Sequence, residues 1–239
     1  MDGILEIISF KASFKKESSV RDLLQNESKK AWAEVFPANR FDCTPPLNFA
    51  DNPDADLFVN SPIPHLYELE HGSAPVELAV MSSVTLATPH GFIFDAEKRL
   101  ISESFHDGDM VEIPLREVQT MLSDGLLERT PTQRIDSPAM LMMGPWSWVY
   151  HHWMLEDLLR LWALDEFPEL ADMQIVVPGD LTTFQQASLT ALGVEKERLL
   201  PFDGSNWLFS TLYVPSFLAP GGHSQRQMTW LREKLFSAF

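Results

Sequence analysis

The 239-residue sequence predicts an α/β fold with a mostly parallel sheet. Three observations carry this. Short apolar runs, Ala139–Met143 and Gln174–Pro178, have the length and composition of buried strands. Helical segments separate them at the spacing of right-handed βαβ units. The longest of those segments, Trp146–Trp162, contains no Gly or Pro and is long enough for about four turns at 3.6 residues each. Folds of this class bind ligands beyond the carboxyl ends of their strands.

The elements follow in chain order. Residues 4–10 are expected to form a short strand. Ser19 and Asp22 have the spacing of a capping box, opening a helix to about Phe36 with Val20, Leu23, Leu24, Trp32 and Val35 on its buried side. From Pro37 to Pro75 the prolines forbid long regular structure, so an irregular arm is expected, packed in places through Phe58, Tyr67 and Leu69. Val76–Ala87 and Phe92–Asp95 read as strands joined by a Pro89-His90-Gly91 turn, with Arg99–Ser104 as a third. Together they make a small β-meander, whose acidic turn residues read as a solvated rim. A helix is expected near Arg116–Leu127.

After strand 139–143 and the long helix come strand 174–178 and a helix at Thr182–Leu192 that Gly193 ends. Arg198–Leu200 and Thr211–Val214 read as further strands, and a last helix runs from Ser224 to the terminus. Two domains are expected: 1–75, the N-terminal helix and Pro-rich arm, and 76–239, the meander with the α/β unit.

Composition narrows the function. With 45% apolar and 11% aromatic residues the chain can fill a large core. Its formal charge of −16 argues against a nucleic-acid partner, although residues 11–30 and the last segment together hold half of the 18 Lys and Arg. The single cysteine, Cys43, forbids an intrachain disulfide. No apolar run reaches the roughly 18–20 residues of a membrane span, and the N-terminus lacks a basic secretory region. A cytoplasmic protein is expected, with no transmembrane segment.

On the long helix, Trp148, Leu155, Leu158, Leu159 and Trp162 share a broad arc that must be buried, widened by Met154 and Leu161. His152, Glu156 and Arg160 occupy the remaining strip at i, i+4 and i+8, flanked by Val149 and Trp153. Two readings stand. In one, Glu156 and Arg160 form an ion pair while His152 meets a carbonyl; in the other, the strip lines a cleft and handles a polar ligand. A metal site from His151, His152 and Glu156 is disfavoured, because adjacent helical histidines diverge and the His-Glu-x-x-His spacing is absent. Neither a dinucleotide fingerprint nor a phosphate-binding loop occurs, so no cofactor is expected. Gly221-Gly222 reads as a plain loop rather than an anion site, and Ser147 as a helix cap.

Residues Tyr150-His-His152-Trp153-Met-Leu-Glu156-Asp-Leu-Leu-Arg160-Leu161 resemble a signature of glycosyltransferase family 61, proteins of capsular polysaccharide biosynthesis. Ile175–Pro178, Phe184–Leu189, Leu192-Gly193-Val194 and Leu212–Ser216 follow in the family's order, and Gly91–Asp95 with Leu100–Ser104 resembles its lead-in meander. Leu159 departs from the family's usual proline. The resemblance implies the Rossmann-like, acceptor-side N-terminal half of a GT-B glycosyltransferase, with the C-terminal donor-binding half absent beyond Phe239. It also implies inverting, metal-independent transfer of a sugar from a nucleotide-sugar to a glycan hydroxyl. His152 and Glu156 would be catalytic, either serving as the base. Arg160 would hold the carboxylate or a substrate anion, and Tyr150 and Trp153, with Trp148, would meet sugar. The partners implied are a glycan acceptor and a nucleotide-sugar donor. A location peripheral to the inner membrane and self-association through exposed apolar surface are further expectations. The competing reading is a non-catalytic half that binds glycan or a partner chain.

Overall fold

A computed structural model of the chain describes residues 7–8, 13–17, 20–25, 30–36, 40–42, 70–72, 76–104, 116, 118–120, 123–215 and 224–238. Its organising strand is β6 (Val76–Ala87), whose alternating residues bury toward both faces of one sheet. Leu78 and Val80 join one apolar cluster, while Ala79, Met81, Val84 and Leu86 join the other. Burial on both faces explains why eight of its twelve residues are apolar.

The meander is as expected. β6 pairs antiparallel with β7 (Phe92–Phe94), which pairs antiparallel with β8 (Leu100–Ile101). Ser102–Ser104 tightens into a 3-10 turn, so the third strand is shorter than predicted. In the β7–β8 turn, Asp95 is buried rather than part of a solvated rim. It accepts backbone N–H groups of Glu97 and Arg99 and the Arg99 Nε–H at 2.8 Å. Burial opposes its ionisation, but the Arg99 bonds and charge outweigh this and hold its carboxyl below the ordinary carboxylate value.

At the N-terminus, β1 (Ile7–Ile8) pairs parallel with β8, and β2 (Lys15–Lys16) pairs with β3 (Lys30–Phe36). The helix predicted through Phe36 is corrected: α1 is confined to Val20–Gln25, and β3 pairs antiparallel with β6. Ala31 and Ala33 face one cluster and Trp32 the other, a period of two that β6 rewards with a full ladder. Much of the Pro-rich arm, and Gly221-Gly222, lie outside the described residues; within the arm β4 (Arg40–Asp42) pairs with β5 (Glu70–Gly72). Of the expected helix near 116–127, residues 116 and 118–120 are helical, and a 3-10 turn follows at Leu126–Glu128.

The α/β part runs through β9 (Gln133–Ile135), β10 (Ala139–Leu141), a long helical segment α2 (150–166), β11 (Gln174–Pro178), α3 (Thr183–Ala191), β12 (Leu199–Phe202) and β13 (Trp207–Pro215), then α4 (Gln225–Ser237). The main sheet has the order β1-β8-β7-β6-β13-β10-β11-β12, with β3 and β9 joining at its flanks. Strands β13, β10, β11 and β12 are mutually parallel. Leu158, Leu159, Trp162, Leu189 and Leu231 pack the helices on one face. Among the described residues, no helix is long and apolar enough to cross a membrane.

One connection departs from the alternating pattern. Residues 203–206 alone join β12 to β13, too few for the dozen or more of a helical crossover. The strand ends meet directly, with Phe202 edge-on to Trp207 at 5.2 Å. The β6–β7 turn closes on the same place: Gly91 abuts Met143, and Gly204 abuts Pro89. This brings the turn at 88–91 beside the end of β10, where α2 begins.

At the end of β11 the packing admits no side chain. A Cβ on Gly179 would lie 2.7 Å from the carbonyl oxygen of Phe202. Gly179→Ala is therefore expected to lower stability by about 1–3 kcal/mol through backbone displacement, read as a shift in the urea midpoint. An unchanged midpoint would show that β11 and β12 separate there at no cost.

Candidate active site

β10 delivers a tight turn rather than a helix. The Ser147 hydroxyl donates to the Gly144 carbonyl at 2.9 Å and accepts the Gly144 N–H at 2.8 Å. Val149 donates to the Trp146 carbonyl, and its ψ of 127° places it outside the helix. Helix begins at Tyr150, four residues later than the sequence suggested, and Ser147 ties the turn instead of capping it. The delay moves Trp148 off the buried arc, leaving it 53% exposed.

α2 is not a uniform α-helix. An α turn (Tyr150–His152) widens to a π turn (Trp153–Asp157), tightens to 3-10 (Leu158–Leu161) and returns to α (Trp162–Glu166). Rows spaced at 100° per residue are lost across such changes of pitch. Single π turns inside helices occur frequently at functional sites.

The π turn holds the site. His152 Nδ1 lies 2.7 Å from Glu156 Oε1. The Glu156 side chain is 5% exposed and lies behind the imidazole, which reaches the surface with 11% of its side-chain area. One reading paired Glu156 with Arg160; the Glu156 charge does act on the guanidinium, and Arg160 Nη1 donates to the Met142 and Met143 carbonyls at 2.7 and 2.5 Å. With Asp157 Oδ1 at 3.9 Å, this fixes α2 to the end of β10. Arg160 is 1% exposed, so its guanidinium is an anchor inside the protein.

Asp157, which the sequence reading did not single out, is a strongly perturbed carboxyl beside the dyad. Burial lifts its pKa from 3.8 to about 7, against the opposing charge of Arg160 and the polar Ser147 hydroxyl, and with the charge of Glu156 adding to the rise. The folded chain therefore binds this proton more readily than the unfolded chain. Stability from this group is present below pH 3.8 and lost as pH rises to about 7. Asp157→Asn is expected to gain about 2–3 kcal/mol relative to the native chain between pH 5 and pH 8, measured by urea unfolding at both. A pH-independent difference would place a neutral or solvated carboxyl at 157.

The remaining residues arrange themselves around the dyad. Trp153 lies in the core with its indole N–H donating to Ser188 Oγ at 2.9 Å. Tyr150 is 64% exposed beside Phe184, ring centroids 5.3 Å apart. His151 stacks against His152 at 4.0 Å. Trp146 lies 6.4 Å from His152 and 5.0 Å from Trp148.

Two supports come from elsewhere in the chain, beyond the reach of local spacing. His90, in the β6–β7 turn, makes an Nδ1 hydrogen bond with the Pro145 carbonyl at 3.2 Å and lies 5.5 Å from Trp148. Gln185, fully buried at the start of α3, donates to the Ser147 carbonyl and accepts from the N–H and hydroxyl of Thr182. A polar glutamine within an apolar helix face was the available signal for the second.

A separate cleft of about 580 Å³ lies between α3 and the β11–β12 edge, lined by Val177, Asp180, Leu189 and Lys196 among others. It does not include His152 or Glu156. Volume favours the cleft, but chemistry favours the dyad: Asp180 and Lys196 are ordinary surface charges, whereas His152 and Glu156 are a desolvated, hydrogen-bonded pair.

The chain matches no protein-family model, no curated protein and no solved structure among those it was compared with.

Proposed function

We propose that this chain is a glycosyltransferase, or the acceptor-side part of one, acting in surface polysaccharide assembly by inverting, metal-independent transfer on a Rossmann-like GT-B framework. The α/β architecture supports the reading, and so does the order of motifs running through α2 and β13. The single observation that carries it is the 2.7 Å contact between His152 Nδ1 and Glu156 Oε1 where α2 leaves the end of β10.

An imidazole whose Nδ1–H donates to a carboxylate carries its basic lone pair on Nε2. Nε2 would take the proton of an acceptor hydroxyl as that oxygen attacks the anomeric carbon. The bond to the nucleoside diphosphate breaks on the opposite face, and the leaving group departs with its electron pair. Glu156, held dry behind the ring, stabilises the imidazolium that forms. Histidine is thus the base and the carboxylate its orienting partner. Arg160 acts indirectly, by holding the π turn on β10.

The test is transfer from a panel of nucleotide-sugars to oligosaccharide acceptors, followed by mass spectrometry. Product formed with inversion supports the reading. Failure of the chain to form product with any donor, while it still binds oligosaccharide, would favour a non-catalytic glycan-binding protein. The exposure of Trp148 and Tyr150 is the observation behind that second reading.

A further inference from the structure

We propose that Trp146 and Trp148 form an acceptor-sugar subsite, a stacking surface that presents a pyranose hydroxyl to His152. The proposal rests on the glycosyltransferase reading for its chemistry, but its binding surface can be tested alone.

Trp148 is more than half exposed, although an indole in water forfeits the burial that normally places tryptophan inside. It is nonetheless held in place. Trp146 packs on it at 5.0 Å with planes tilted by 60°, and His90 at 5.5 Å with planes tilted by 56°. The backbone beneath is fixed by the Gly144–Ser147 bonds, by Gln185 on the Ser147 carbonyl and by His90 on the Pro145 carbonyl. An exposed aromatic ring pinned from two sides has lost its rotamer freedom before any ligand arrives, so ordering it costs binding little.

Its position supplies the second half of the argument. Rings run in sequence from Trp148 to Trp146 at 5.0 Å and from Trp146 to His152 at 6.4 Å, ending at the dyad. An aromatic face suits the axial C–H face of a pyranose, which is apolar while its equatorial hydroxyls point outward along the ring edge. A sugar lying on this surface turns one hydroxyl edge toward the imidazole. Tyr150, stacked on Phe184 instead, lies at the start of the helix and suits the next residue of an oligosaccharide.

The experiment is saturation-transfer difference NMR on the full chain, with maltohexaose, cellohexaose and chitohexaose as probes. The native chain is expected to transfer saturation to ring protons of at least one of them. Trp148→Ala should weaken that binding by about tenfold or more, the loss expected when an aromatic anchor covered by the ligand is truncated, and Trp148→Phe should retain most of it. Trp148 is exposed, so circular dichroism and thermal unfolding should show both variants folded. His152→Ala should bind the probe as the native chain does while losing transfer. Native-like binding by Trp148→Ala, or no saturation transfer to any of the three probes, overturns the subsite. Binding lost in Trp148→Ala when the native chain transfers no sugar would uphold the surface and defeat the enzymatic reading; native-like transfer by Trp148→Ala would do the reverse.

Discussion

His152→Ala is expected to lower the rate of sugar transfer by about 10²–10⁴, the usual contribution of a positioned general base. KM for the acceptor should change little, because the proposed stacking surface is intact. The Glu156 variants discriminate further. Glu156→Gln keeps a group of the same shape 2.7 Å from Nδ1, yet it lacks the charge that stabilises imidazolium and can donate its amide N–H to the ring. Such donation favours the tautomer with the proton on Nε2, where it blocks base catalysis. Glu156→Gln should therefore fall nearly as far as Glu156→Ala. If the dyad were only a structural tie, the neutral glutamine would preserve activity. His152→Ala leaves the Glu156 carboxylate without this ring partner at a nearly buried position, so a stability loss of about 1–3 kcal/mol is expected with the fold retained. Unfolding of the variant at 25 °C would make the pair part of the scaffold.

The sequence revealed the pair more readily than its surroundings. Positions 152 and 156 are four residues apart, close enough for the two side chains to meet across the single junction of the α turn and the π turn. Val76–Ala87 was legible over its whole length, since it is rich in β-branched and apolar residues and free of Gly and Pro. Gly193 marked the end of α3 through cap chemistry that is local in sequence, whereas Thr182, read as the first helical residue, caps the start. Lys30–Phe36 was misread because Trp32 and Val35 also suit a helical face. Pairing with β6, which is forty or more residues away along the chain, decides the conformation there. The partners of Arg160 were hidden for the same reason: a side-chain spacing says nothing about backbone carbonyls at the end of another element. Trp148 was placed on the buried arc by assuming that helix starts directly after Pro145, and the Ser147 hydroxyl, engaged with Gly144, removes that start.

Arg160→Met is expected to be the most destabilising of the substitutions considered, at about 3–5 kcal/mol, because it breaks a buried ionic contact from one side only. The methionine fills similar space but leaves the Met142 and Met143 carbonyls without the Nη1 donor and Asp157 without its counter-charge. Asp157 already ionises only near pH 7, and Arg160 is what holds it that low against burial. In the variant its pKa must rise further. A carboxyl with a raised folded pKa loses stability as pH increases until the folded pKa is passed, so the decline that levels off near 7 in the native chain should continue to higher pH. Adding Asp157→Asn removes the group that titrates. The double variant should then be less destabilised than the sum of the single changes and should lose the extended pH dependence. Strict additivity in urea unfolding at pH 6 and pH 9 would mean that the two side chains do not share an electrostatic environment, and the anchoring of the π turn would then rest on the carbonyl bonds alone. Because that turn carries Glu156, Arg160→Met should also loosen the dyad, lowering kcat under conditions where the variant remains folded, without Arg160 ever touching substrate.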